Sequence, residues 1–141
     1  MEYSISTDKD KLDIKVIHDF LCNRSYWAKG RSLEEVKKSI ENSICFGVCD
    51  RLGHTIGFAR VVTDDVLFAY LFDVFILESY RGQGLGKRLV DYVLNDSGIQ
   101  AKVWMLATSD AHSLYEKFGF HPIEVEQQYR HMIRRETPGA S

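Results

Sequence analysis

A glycine-rich, basic segment in the second half of the chain is the clearest candidate for chemistry. Arg81-Gly-Gln-Gly-Leu-Gly-Lys-Arg88 has glycine at alternate positions and follows a long apolar stretch. Glycine lets a backbone approach a ligand closely, and the start of a helix presents unpaired N–H groups that suit phosphate. Basic side chains stand here at the positive end of the helix dipole, where acidic ones are expected. The segment therefore predicts a polyanion site; the alternative is a glycine turn with solvated basic residues.

The spacing within this segment excludes two common nucleotide-binding loops. A Walker loop needs four residues between its Gly and Gly-Lys, followed by Ser or Thr. Here Gly82 and Gly86 enclose three residues, and Arg88 stands at the hydroxyl position. A dinucleotide-binding fingerprint needs Gly-x-Gly-x-x-Gly and an acidic residue about 20 positions later. The final glycine spacing is wrong, and the later apolar stretch 102–107 contains no acidic residue.

A single charge, Asp73, interrupts the apolar stretch 66–76 that precedes the loop. Burying a carboxylate is costly unless it is paired or functional. Two interpretations have equal weight: a functional carboxylate, which acts as a general base or anchors a cationic ligand, and an ion pair with Arg60. Glu78 is a weaker candidate base because it lies past the end of the stretch.

Composition places this chain among ordinary single domains. It has 141 residues, of which 45% are hydrophobic and 27% charged, and its formal net charge is −2. We expect one domain over 1–136 with a tail at 137–141. The nearly balanced charge does not indicate binding to nucleic acid or to an anionic membrane. No signal peptide or membrane-spanning segment is evident in the sequence. The sequence thus predicts a cytoplasmic protein without a nucleic-acid or membrane partner.

The cysteines and histidines predict neither disulfides nor a metal site. The chain has an odd number of cysteines, namely Cys22, Cys45 and Cys49. The backbones of Cys45 and Cys49 would lie ~13 Å apart in a strand, which is too far for a disulfide bond. We expect all three to be buried apolar residues. The five histidines are scattered, without ligand spacing, so no metal is predicted.

Hydrophobic periodicity predicts alternating helices and strands. Helices are expected at 13–23, from the capping box of Ser32 and Glu35 onward, at 84–95 and at 110–118. Strands are expected at 44–50, 55–63, 66–76, 102–108, 123–126 and 128–134. The nearly continuous apolar stretch 66–76 predicts a central strand covered on both faces, and strand, helix and strand over 66–108 predict a parallel βαβ unit. The fold class is therefore α/β (α+β): a mixed, mostly antiparallel sheet with helices on both faces.

Two motifs together resemble the GNAT family of N-acetyltransferases. Arg81-x-x-Gly84-x-Gly86 after an apolar strand resembles the acyl-CoA signature of that family. Asp110-Ala-His-Ser-Leu-Tyr-Glu-Lys-Phe-Gly-Phe120 resembles its Ala-x-x-Leu-Tyr-x-x-x-Gly-Phe segment. The resemblance extends from about residue 44 to residue 120, whereas residues 1–43 match only in helix count.

The resemblance implies acetyl-CoA as co-substrate and gives roles to individual positions. The backbone at the strand end would hold the pantetheine arm, and the loop amides would cradle the pyrophosphate. Thr108 stands where the family often has Asn, so that contact departs from the family pattern. The implied cofactor-binding residues are Val74, Phe75, Ile76, Arg81, Gly82, Gln83, Gly84, Leu85, Gly86, Lys87, Thr108 and Asp110.

Tyr115 is the implied general acid. The thiolate that leaves CoA takes up a proton, and a phenol within reach can supply one. Backbone N–H groups near the strand can stabilise the developing oxyanion. The alternative for Tyr115 is core packing, because it shares a helical stripe with Ala111, Leu114 and Phe118. Asp73 is the second candidate catalytic residue; some relatives carry a glutamate where Tyr70 stands, so a base acting through water is a further option.

The acceptor is expected to be a primary amine, bound beside the connection 25–31. Tyr26, Trp27 and Arg31 would form an adaptable wall, with the alternative that the two aromatic residues cap the core. Arg60 and the region near Tyr129 are the next candidates. The predicted function is acetyl transfer to an unidentified small-molecule or peptide amine by direct attack in a ternary complex. The alternative is a non-catalytic acyl-CoA-binding sensor or partner-binding module, and a homodimer is compatible with either.

Overall fold

The computed structural model describes residues 2–136, and the expected tail at 137–141 lies outside them. Its sheet has five strands in the order β1-β2-β3-β4-β5. They are β1 (Ser4–Ser6), β2 (Ile44–Cys49), β3 (Thr55–Thr63), β4 (Phe68–Ile76) and β5 (Val103–Met105). Only the β4–β5 pairing is parallel among these strands. The mixed, mostly antiparallel sheet with a parallel βαβ unit is therefore confirmed.

Five α-helices accompany the sheet in the described residues. They are α1 (Ile14–Asp19), α2 (Leu33–Glu41), α3 (Leu85–Asp91), α4 (His112–Glu116) and α5 (Val125–Gln128). α1 and α3 each continue into a π-helical turn, at Phe20–Arg24 and Tyr92–Asp96. The capping box predicted for α2 is present, because Ser32 Oγ accepts from Glu35 N at 3.1 Å and Glu35 Oε1 accepts from Ser32 N at 2.8 Å.

The chain divides into two compact units, Met1–Thr108 and Ser109–Ser141. The first contains the sheet and α1 to α3. The second contains α4 and α5; in it Gly119 lies shortly after α4 with φ 87°, and its N–H donates to the Glu116 carbonyl at 3.1 Å. A single domain over 1–136 stays a prediction.

Helices pack on both faces of the sheet in the first unit. On one face, Phe20 at the end of α1 stacks on Phe75 of β4 with ring centroids 4.1 Å apart. On the other, Phe46 of β2 meets Tyr92 after α3 with centroids 6.0 Å apart. Side chains alternate along β2, so Phe46 faces away from its neighbour Cys45, which belongs to the cluster around Phe20.

Two expectations about the strands are wrong in ways that matter for the site, and one strand was not predicted. β4 begins at Phe68, lies next to the edge strand β5, and is not covered on both faces, since Phe68 is 40% exposed. β5 ends at Met105 rather than at 108. β1 was not expected at all; its three residues are too few to give a periodic signal, and its pairing with β2 is non-local.

The two strands expected at 123–126 and 128–134 are absent from the described residues of the second unit. The structure has the short helix α5 there instead. The apolar side chains that suggested strands are exposed, Val125 at 64% and Tyr129 at 84%. A strand needs a neighbouring edge for its hydrogen bonds, and the alternation of apolar residues carries no information about that neighbour.

The three cysteines differ in environment, which yields a prediction. Cys45 and Cys49 are buried on β2, whereas Cys22 is partly exposed, contrary to expectation. Burial raises the pKa of Cys45 to about 11 and also raises the pKa of Cys49. Because only the thiolate reacts readily, we expect the native protein at pH 8 to react with an aromatic disulfide reagent at Cys22 alone. Peptide mapping of the labelled protein checks this, and Cys22→Ser is expected to remove the rapid phase.

Candidate active site

A β-bulge in β4 determines where Asp73 lies. Phe58 of β3 pairs with Phe75, and Arg60 pairs with Phe72, so one residue of β3 faces two residues of β4. Asp73 occupies the bulge with φ 57°, in the left-handed region. Aspartate enters this region more readily than most residues. The bulge thus places a carboxylate at a bend in the strand.

The Asp73 carboxylate is buried and surrounded by donors. Its side chain is 1% exposed. Oδ1 accepts from Trp27 Nε1 at 2.9 Å. Oδ2 accepts from Arg31 Nη1 at 2.7 Å and from Arg60 Nε at 2.6 Å. The structure therefore brings together four residues that the sequence proposed for the site, and we name Trp27, Arg31, Arg60 and Asp73 the Asp73 cluster.

Neighbouring groups hold the two arginines in place. Arg60 Nη1 donates to Ser43 Oγ at 3.2 Å, and its guanidinium carbon lies 4.3 Å from the centroid of the Phe72 ring. The carbonyl of Arg31 is hydrogen-bonded to His18 Nε2 at 3.1 Å, which ties the connection to α1. Sequence reasoning missed Ser43 and Phe72, because their roles follow from pairing between strands rather than from any local motif.

These contacts bear on the two interpretations of Asp73. The ion pair with Arg60 is present, and Arg31 adds a second one. Both carboxylate oxygens already accept hydrogen bonds, so the arrangement favours a positioning role over a general base. Glu78, the weaker candidate base, lies 3.4 Å from Arg24 in an exposed ion pair.

Tyr26 and Trp27 lie on the connection between α1 and α2. Their rings meet edge to face with centroids 5.1 Å apart, and Tyr26 is 50% exposed. Trp27 also contacts Phe20, at 6.3 Å between centroids. Trp27 therefore connects Phe20 of the core to the Asp73 carboxylate, and Tyr26 lies beside it on the solvent side.

The β4–β5 pairing stops partway along β4. Hydrogen-bonded register covers Phe68 to Tyr70 opposite Val103 to Met105. β4 continues to Ile76, so within the first unit its last six residues have no β5 residue opposite them. An exposed strand edge presents a row of backbone donors and acceptors. The bulge and this open edge occupy the same part of the strand, where the resemblance expects an added ligand to pair with residues 74–76.

The glycine-rich loop leaves space above its backbone. Gly82 and Gly84 have φ of 83° and 77°, and a Cβ on either would meet no heavy atom within 4 Å. Gly84 is the N-cap of α3, whose first turn contains no acidic residue and which has no side-chain cap. The N–H groups at this helix start are oriented outward. Positive φ and open space at the same positions suit close approach of a ligand to the backbone.

Side chains of the loop are anchored to its surroundings. Arg81 Nε donates to the Ile76 carbonyl at 3.0 Å, which links the loop to the end of β4. Gln83 accepts from the Tyr3 hydroxyl at 3.0 Å and donates to the Tyr80 carbonyl at 3.3 Å. Lys87 is exposed and Leu85 is buried beneath the loop. These contacts fix the backbone of the loop before any ligand arrives.

The remaining predicted site residues lie at and beyond the boundary of the units. Thr108 ends the first unit, and Asp110 and Tyr115 belong to the second. Tyr115 is buried in α4 and meets Phe120 edge to face with centroids 5.9 Å apart. The second unit thus presents Tyr115 on a short helix closed by Gly119.

Among residues 2–136 no group of three or more potential metal ligands comes together. No helix within the same residues is long and apolar enough to cross a membrane.

Comparison with known proteins identifies the family. The model of the acetyltransferase (GNAT) domain matches residues 41–122, more than half of the chain, so this chain belongs to the GNAT family of acetyltransferases. A solved GNAT-family structure from Xanthomonas campestris pv. campestris is 40% identical, with a TM-score of 0.87, over 99% of this chain and 96% of that one. The resemblance inferred from the two motifs is therefore confirmed.

Two curated relatives are similar over part of their length. An uncharacterised N-acetyltransferase of Prochlorococcus marinus is 38% identical over 67% of this chain and 55% of its own length. The alanine N-acetyltransferase of ribosomal protein bS18 from Haemophilus influenzae is 36% identical over 52% of this chain and 53% of its own length. This chain thus spans little more than half of either relative.

The buried ion pairs of Asp73 yield a stability prediction. Asp73→Asn keeps the side-chain shape and its tolerance of positive φ but leaves two guanidinium groups without their counter-charge. We expect the free energy of unfolding to fall by about 3 kcal/mol, toward the lower end for a broken buried pair because Arg31 remains partly exposed. Denaturant unfolding followed by circular dichroism measures this.

Asp65→Asn is the matched control for that substitution. Asp65 also has positive φ, at 61°, but it is exposed, and its Oδ1 accepts from the Gln100 N–H at 2.7 Å, a bond that asparagine can keep. We expect a change of less than about 1 kcal/mol. Equal losses in the two variants would show that the ion pairs of Asp73 contribute no specific stability.

Proposed function

We propose that this protein is an acetyl-CoA-dependent N-acetyltransferase that acetylates a primary amine by direct attack within a ternary complex. The observation that carries the proposal is the coincidence, on one strand and its following loop, of the Asp73 bulge, the open edge of β4 and the glycine-lined start of α3. Membership of the GNAT family supports the same conclusion.

The residues present fit acetyl-CoA as co-substrate. A pantetheine arm carries amides that can pair with a strand edge, and β4 offers such an edge at residues 74–76. Pyrophosphate suits the N–H groups at the start of α3, where a Cβ at Gly82 or Gly84 would project into open space. When bound, acetyl-CoA would supply an activated acetyl group on a thioester. Arg81, Lys87 and Arg88 are the cations nearest in sequence to the phosphate cradle.

Proton transfer in the proposed reaction involves two different groups. The attacking amine must be uncharged, so its ammonium form loses a proton beforehand. Because both oxygens of Asp73 are engaged by donors, we assign that deprotonation to water rather than to Asp73. Tyr115 is proposed to protonate the departing sulfur, as the family resemblance implies, and the proton that the attacking nitrogen loses as the amide forms passes through water to restore the Tyr115 hydroxyl.

The non-catalytic alternative shares the acyl-CoA site and differs only in turnover. The Haemophilus relative is named for transfer to the alanine of a ribosomal protein, so a peptide amine is one acceptor class to include in an assay. Measurement of CoA release with and without an amine panel separates an enzyme from a sensor, because the sensor binds acetyl-CoA without releasing CoA.

Acetyl-CoA binding is expected to depend on the glycine at the start of α3. Gly84→Ala adds a methyl group to the open space above the loop, and Gly53→Ala adds one at an exposed hairpin glycine of similar φ, 85°, also with no atom within 4 Å. Both substitutions carry similar backbone strain. We expect Gly84→Ala alone to weaken acetyl-CoA binding, by about 10- to 100-fold, the loss of one or two hydrogen bonds to a charged group. Isothermal titration calorimetry measures both variants; equal affinities would contradict the phosphate assignment.

The acid role of Tyr115 has a kinetic signature. Tyr115→Phe keeps the ring that packs on Phe120 and removes only the hydroxyl. We expect kcat to fall about 10²–10⁴-fold with acetyl-CoA affinity retained, because the proton is transferred in the transition state. Steady-state kinetics with an amine substrate, alongside calorimetry, test this. Phe120→Leu serves as a packing control. Wild-type turnover in Tyr115→Phe between about pH 6 and 9 would show that Tyr115 packs the core and does not act as the acid.

A further inference from the structure

We infer that the acceptor amine also carries an anionic group, carboxylate or phosphate, which Arg31 binds. This inference deepens the proposed function and rests on it. The Asp73 cluster contains two guanidinium groups and one carboxylate, so its formal net charge is positive, and the Arg31 part of it is partly exposed. An isolated excess charge in a partly buried site is unfavourable unless a ligand or solvent compensates it.

The guanidinium of Arg31 has more N–H donors than Asp73 uses. In the described part of the chain its guanidinium makes hydrogen bonds through Nη1 alone, to Asp73. Its side chain is 23% exposed, whereas that of Arg60 is 11% exposed. Asp73 accepts from one N–H of the planar guanidinium, and the remaining N–H groups can bind a carboxylate or a phosphate in the bidentate manner typical of arginine.

Among the residues that the structure describes, the ion pairs of Arg31 and Arg60 are with Asp73 alone. Hydrogen bonds with Ser32 are the main reason that the pKa of Glu35 is lowered, and Arg31 contributes least; the Glu35 carboxylate is exposed and caps α2 by accepting from the Ser32 N–H. Exposed charges are screened by solvent. Glu78 is paired with Arg24. The positive charge therefore remains at the bulge of β4, where the proposed function places the acetyl group.

The sign of this charge discriminates among amines. A primary amine is itself cationic at neutral pH, so a polyamine would approach the cluster against repulsion. An amine that also carries an anion brings the compensating charge with it. Aromatic side chains of β4 continue the same face, with Tyr70 and Phe72 at 4.3 Å between centroids and Phe68 exposed beyond them. This strip suits an apolar body attached to the charged group.

Matched pairs of amines test the inference. Phenylalanine and tryptophan differ from phenethylamine and tryptamine by a carboxylate, and glucosamine 6-phosphate differs from glucosamine by a phosphate; spermidine represents polyamines. We expect kcat/KM to be about 10- to 100-fold higher for the anionic member of at least one pair, the usual effect of a charge-assisted hydrogen bond. The pair that responds distinguishes carboxylate from phosphate.

Variants of two arginines link the preference to Arg31. Arg31→Gln is expected to bring the two members of the responding pair to within about 3-fold of each other. Arg24→Gln removes another partly exposed arginine, 39% exposed and paired with Glu78, and is expected to keep the preference. Circular dichroism melts of both variants establish that they are folded. The inference is overturned if the wild-type enzyme favours spermidine or the members of the pairs that lack an anionic group. It is also overturned if the preference for the anionic member survives Arg31→Gln.

A binding measurement keeps the inference testable if no amine in the panel is acetylated. N-acetylphenylalanine and N-acetylphenethylamine are titrated into the wild-type protein saturated with CoA. Tighter binding of the anionic product that disappears in Arg31→Gln supports the inference, and equal or absent binding of both overturns it. Failure of the protein to bind acetyl-CoA at all would instead overturn the proposed function.

Discussion

The buried carboxylate of Asp73 is the interaction on which the rest of the site depends. Without Arg31, Arg60 and the Trp27 indole, a charge at 1% exposure in an apolar strand would destabilise the fold. With them, one side chain connects β3, β4 and the connection after α1. The register of β3 and β4 pairs Phe58 with Phe75 in the core and Arg60 with Phe72, which brings the Arg60 guanidinium to the carboxylate.

The bulge and the ion pairs depend on each other. Asp73 adopts φ 57°, which is unfavourable for most side chains, and the contacts of its carboxylate offset that cost. In return, the bulge bends β4 beyond the point where its pairing with β5 has ended, so within the first unit the strand keeps an edge without a β5 residue opposite it. A buried polar network thereby produces a backbone surface that an uninterrupted parallel pair would have closed.

The sequence patterns correctly predicted those structural features that depend on residues close to one another in the chain. The glycine-rich loop, the capping box of α2 and the βαβ unit each depend on residues close in sequence, and each is present. The bulge could not be predicted, because it is a mismatch of register between two strands, although a lone aspartate in an apolar stretch was a usable signal. The strands expected beyond residue 120 were wrong for the same reason, since apolar alternation does not reveal whether a neighbouring edge exists.

The distribution of charge unites the loop and the Asp73 cluster. The chain as a whole has a formal net charge of −2, yet basic residues gather at both ends of the open strand edge: Arg31 and Arg60 at the bulge, Arg81 and Lys87 at the loop. Such segregation attracts anions locally while the protein as a whole repels them weakly. Two anionic ligands, a pyrophosphate at the loop and an acidic amine at the bulge, would neutralise these two groups of basic residues, and the reacting groups of the ligands would then meet along the strand edge between them.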